Sequence, residues 1–176
     1  MWRPDHAKLI KVRLHSRGLD VETSWAEDCG PAPGRAGARY VRLGNVPFLR
    51  AKPTYGDVIV VSPDQDRMLS WDSEGVPYEQ IGDRIIEDGE RWAMILEFEL
   101  LDPDGDAQEA FSALDIAAEK QDIAVEGAFG PKRGRPGRAY LAVPTKLDVE
   151  PVLTFLEDQD LPMSLRLVHP REGEDE

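Results

Sequence analysis

The segments WAMILEFEL (92–100), AFSALDIAAEKQDIAVEGAF (110–129), RAYLAV (138–143), VEPVLTFLE (149–157) and MSLRLVH (163–169) decide the fold. In the first, Met94, Leu96, Phe98 and Leu100 alternate with Ile95, Glu97 and Glu99, the period of a strand with one apolar face. Asp102-Pro103-Asp104-Gly105 then turns the chain. Asp106 is placed to cap a helix, with Glu109 three residues on as in a capping box. Ala107, Ala110, Phe111, Leu114, Ala117 and Ala118 recur at helical spacing and form its buried stripe. Ile123 to Phe129 and Arg138 to Val143 read as two strands joined by a basic loop. Asp148 opens a second helix with stripe Val149, Val152, Leu153 and Leu156, where Pro151 falls in the first turn. Met163, Leu165 and Leu167 mark the closing strand.

Strand, helix, strand, strand, helix, strand is the order of the ferredoxin-like βαββαβ sandwich, which is the expected fold of residues 91–170. Residues 1–90 read differently. Leu9 to His15 alternates apolar with cationic residues, and Val21 to Ala26, Arg39 to Leu43, Gly56 to Ser62 and Arg67 to Trp71 read as further strands. Pro63-Asp64-Gln65-Asp66 is a hairpin-turn sequence. Five short strands without a helix predict a small curved β-sheet or barrel. Tyr78 to Glu90 carries Ile81, Ile85 and Ile86 at near-helical spacing around Gly82, and is read as a connection between the halves. The expectation is thus an α+β chain: a β-rich domain at 1–90, an α+β domain at 91–170, and a disordered acidic tail at 171–176.

Charge separates the halves further. The formal net charge is -13. Residues 1–90 hold 15 acids against 12 Lys and Arg, and residues 91–176 hold 19 against 9. A field of that sign repels nucleic acid and speeds capture of cationic proteins. No run approaches the roughly 18 apolar residues that span a bilayer. The start, Met1 to His6, has no apolar segment after its charge, so neither a membrane association nor a secretory signal is expected. Cys29 is the single cysteine, which agrees with a reducing compartment, and a cytoplasmic protein is expected.

The blocks Glu22-Thr23-Ser24-Trp25-Ala26-Glu27, Tyr40, Leu43-Gly44-Asn45-Val46-Pro47-Phe48 and Tyr55-Gly56-Asp57-Val58 resemble a bacterial family known as domain of unknown function 4265. The resemblance is close in the first half and extends to the second only in the order of elements. A glycine- and proline-rich insertion between Glu27 and Tyr40 departs from the pattern and implies a lengthened hairpin. The family supplies no reaction and no catalytic residues. Small acidic proteins of this sort often sit beside toxin genes, and by that association an immunity-type role is expected.

Few motifs offer chemistry. Trp25 and Phe48 beside Glu27 and Asn45 either line a groove or belong to the core with Asn45 satisfying a turn. The run from Asp102 to Asp106 resembles a calcium loop, but its sixth and twelfth positions are Ala107 and Ala113 where glycine and glutamate are needed. His6, His15 and His169 share no ligand spacing, so neither a metal nor another cofactor is expected. Glu27 and Asp28 beside Cys29 work against a thiolate nucleophile. No phosphate loop or dinucleotide fingerprint occurs. Arg133-Gly134-Arg135-Pro136 resembles the core of an AT-hook, a minor-groove arm, within a chain whose charge opposes DNA; the same loop also suits clamping an acidic partner segment.

The sequence therefore points to a non-catalytic interaction protein: an immunity-type inhibitor that neutralises a basic toxin, for instance a nuclease, through an acidic face. Asp102, Asp104, Asp106 and Glu109 at the turn and cap, with Asp115, Glu119 and Asp122 spaced along one helical face, are the expected contact residues. The alternative is a small-ligand-binding or regulatory domain, which requires a concave polar pocket.

Overall fold

The structure, a computed structural model, describes residues 9–15, 21–49, 51–63, 78–131 and 135–170. The expected strand at Arg67 to Trp71, the turn beyond Pro63, Arg133-Gly134 of the AT-hook-like run, His6 and the tail at 171–176 lie outside those residues. The chain is α+β, mostly strand, and divides into two compact units between Glu90 and Arg91.

The first unit is a closed five-stranded barrel of β1 (Leu9–His15), β2 (Val21–Pro31), β3 (Arg39–Leu43), β4 (Val58–Pro63) and β5 (Tyr78–Glu87). Sequential neighbours are antiparallel, and β5 closes onto β1 in parallel through Val12↔Tyr78 and Arg13↔Glu79. An odd number of strands in a meander leaves the first and last running the same way, so closure requires this pairing. Val12 and Leu14 of β1 meet Ala26, Val41, Leu43, Ile59 and Val61 inside, while Lys11 and Arg13 take the outer face.

Tyr78 to Glu87 is a strand rather than a connection. Its register against β4 jumps from Val61↔Gln80 to Ile59↔Ile85 and again to Val58↔Glu87, with Gly82 at φ 64. Extra residues at these bulges break the two-residue alternation, and the surviving Ile81, Ile85, Ile86 spacing imitates a helix. The insertion after Glu27 extends β2 to Pro31 and forms a hairpin closed by Ala32 N–H donating to Ala38 O at 2.8 Å.

The second unit contains β6 (Arg91–Leu100), α1 (Ala107–Glu119), β7 (Ala124–Phe129), β8 (Gly137–Pro144), α2 (Val149–Glu157) and β9 (Met163–His169). Its four-stranded sheet has the order β7-β8-β6-β9 with every neighbouring pair antiparallel. Met94, Leu96 and Phe98 of β6 and Ala139, Leu141 and Val143 of β8 pack beneath Ala110, Leu114, Ala117, Val152 and Leu156 of the helices. Gly137 faces the Phe98 ring so closely that a Cβ would overlap it. Asp106 caps α1 by accepting from Gln108 N–H at 2.8 Å and Glu109 N–H at 3.4 Å. Asp148 occupies the N-cap of α2 without a side-chain cap bond.

Candidate binding surfaces

Helix α1 buries Ala110, Leu114, Ala117 and Ala118, which turns Glu109, Ser112, Ile116 and Glu119 to solvent. No Lys or Arg occurs within it. Lys120, its C-cap, is directed to Gln159 Oε1 at 2.9 Å. Asp115 is half-buried, and burial followed by the Glu119 charge pushes its carboxyl above the usual range. Asp115 and Glu119, four apart, are neighbours of like charge on one helix face. Beside them Ile116 is 62% exposed, and Leu101, before the acidic turn, is exposed too. Ile116, next to Asp115 and one turn from Glu119 and the Lys120 C-cap, makes this ridge a candidate contact.

Three of the remaining acids of the run have local duties. Asp102 Oδ1 accepts from Asp104 N–H at 3.0 Å and shapes the turn, and Asp106 serves the helix cap. Asp122 does not share the helical face expected for it, because α1 ends at Glu119. It sits in a turn at φ 60, its carboxylate 2.9 Å from Arg91 Nη2, while Arg91 Nη1 donates to its carbonyl. Asp104 and Glu109 are exposed.

On the barrel, Trp25 N–H donates to Asn45 Oδ1 at 3.0 Å and Trp25 O accepts from Gly44 N–H at 2.9 Å. The Asn45 side chain thus joins the loop after β3 to β2. Glu22 anchors the next residues of that loop: its carboxylate accepts from Phe48 N–H at 2.6 Å and Leu49 N–H at 3.2 Å. Phe48 is half-buried, and Glu27 is half-buried on β2 across from Leu9 and Arg42. Trp25 points outward, 48% exposed, with Lys11 Nζ 4.9 Å from its ring centre in a cation–π contact. The sequence reading missed Glu22 and Lys11. Lys11 was legible, because it pairs directly across from Trp25 on β1. Glu22 was not, since its partners are backbone groups of a distant loop.

The same loop is fixed a second time by Asp57, which is fully buried. Its carboxylate takes Lys52 Nζ at 3.1 and 3.3 Å, Thr54 N–H at 2.7 Å and Gly89 N–H at 2.7 Å. Lys52 also reaches Asp88 Oδ1 at 2.8 Å, and that hydrogen bond holds the Asp88 carboxyl below its usual range. Cys29 is raised by burial first, then by Glu27 and Asp28 against Arg42, which disfavours the thiolate. Among the described residues no group of three or more His, Cys, Asp or Glu is placed to hold a metal ion. No helix among them is long and apolar enough to cross a membrane.

No family model matches the chain, and neither a curated protein nor a solved structure does.

Proposed function

We propose that this protein is a non-catalytic interaction module that captures a basic protein on the exposed ridge of α1, in the manner of an immunity-type inhibitor. The observation that carries the reading is Ile116, 62% exposed between the like-charged Asp115 and Glu119 on a helix without a cation. In the free chain the like-charged pair repels and Ile116 is left largely without burial. A cationic partner with an apolar pocket relieves both. The acidic balance of residues 91–176 steers such a partner toward the ridge. We further assign the second unit to the ferredoxin-like class, supported by its element order and by a sheet in which each crossover skips one strand.

The test is a growth assay in which the protein encoded by the adjacent gene is expressed with and without this chain. The expected result is rescue of growth together with a stable complex that Ile116→Asp abolishes. A harmless neighbour that forms no complex removes the inhibitor reading.

A further inference from the structure

The face of the second sheet opposite its helices carries a row of three charges. Glu97 on β6 stands in register with Arg138 on β8 and with Arg166 on β9. Its neighbours Leu96 and Phe98 enter the core, so the Glu97 row faces away from it. The Glu97 side chain is nearly buried, whereas those of Arg138 and Arg166 are 46% and 74% exposed. Arg138 Nε and Nη2 donate to Glu97 Oε1 at 3.4 and 3.2 Å, and Arg166 Nη2 donates to Oε2. The Tyr140 side chain also hydrogen-bonds Arg138. Contacts to Arg166 first, then Arg138, hold Glu97 below the usual carboxylate range and keep it ionised.

One carboxylate thus orients two guanidiniums whose forks carry more N–H donors than it can accept. With Arg138 already paired to the nearly buried carboxylate, the pair made by the far more exposed Arg166 adds little to folding. The row has a net positive charge in a half of the chain where acids outnumber bases two to one. Exposed Glu99, on the same face of β6, and Glu126 of β7, in register with Tyr140, confine the positive field to the row itself.

We infer that Arg138 and Arg166, oriented by Glu97, form a binding site for the carboxylates of an acidic peptide segment. A planar carboxylate matches a guanidinium fork. The row of Glu97, Arg138 and Arg166 carries a single positive charge, which suits one carboxylate better than a phosphate dianion. The site is separate from the α1 ridge and does not depend on that proposal.

The experiment follows the arginine side-chain Nε–H signals of the full chain by NMR. The probes are acetylated, amidated tetraglutamate and, at matched ionic strength, inorganic phosphate. Saturable shifts of Arg138 and Arg166 with the peptide, and binding weakened about tenfold in Arg166→Gln, are expected. That variant keeps the Arg138 to Glu97 pair, and an unchanged thermal midpoint verifies its fold. Shifts no larger than those of exposed Arg35 on the barrel would overturn the site. So would unchanged affinity in the variant, and tighter saturation by phosphate than by peptide would overturn its carboxylate specificity.

Discussion

Two buried carboxylates of the barrel, Glu22 and Asp57, serve backbone amides, and that explains why sequence reasoning placed function elsewhere. Asp57 and Glu22 each collect donors from a loop without regular structure, replacing water that the amides have lost. Asn45 was legible as a turn residue, and the structure gives its side chain a Trp25 amide to accept. The opposite condition holds at Asp115, which is partly desolvated beside Glu119. Its folded carboxyl lies above the ordinary aspartate range, so the folded chain holds this proton more tightly than the unfolded chain. The resulting penalty is absent in acid below that range, grows as pH rises through the raised value, and is complete at neutrality. Asp115→Asn is therefore expected to stabilise the protein by about 0.3 kcal/mol at pH 7, the scale of a like-charged helical pair. The gain should vanish near pH 3. Urea denaturation at both pH values checks it, and equal stability at pH 7 would contradict the repulsion argument.

Elements were legible where a single periodicity ran through them. β6, with four alternating apolar residues, and α1, with its alanine and leucine stripe, could be read directly because one face of each is buried. β5 could not, since its bulges shift side chains between faces and Gly82 adopts a backbone conformation that most residues resist. Helix boundaries were legible from Asp106 and Asp148, but their capping chemistry differs. Asp106 bonds two orphan amides, whereas Asp148 contributes no side-chain bond. Asp106→Ala is thus expected to lower stability by about 1 kcal/mol, and Asp148→Ala by less. Chemical denaturation of the two variants checks this order, and equal losses would mean that the cap bond at Asp106 contributes nothing beyond charge near a helix start.

For the whole molecule, composition disclosed the sign of the field and left open where a partner would touch it. The acids are spread through the second half, and the structure gives Asp102, Asp106 and Asp122 to a turn, a cap and an ion pair. What the α1 ridge adds to its charge is an apolar side chain left in water, which no charge count reveals because Ile116 lies in a sequence where isoleucine would ordinarily be buried. The two ingredients act on different steps of association. Long-range charge governs encounter, while a desolvated apolar anchor governs how long the complex lasts. With a basic partner, Asp115→Lys combined with Glu119→Lys should slow association about tenfold at low salt and make it less salt-dependent. Ile116→Ser should leave the association rate nearly unchanged and speed dissociation about tenfold. Stopped-flow or surface-binding kinetics at two salt concentrations separates these effects. If both variants change only the dissociation rate, the field of the second half has no steering role; if neither changes anything, the partner binds away from α1.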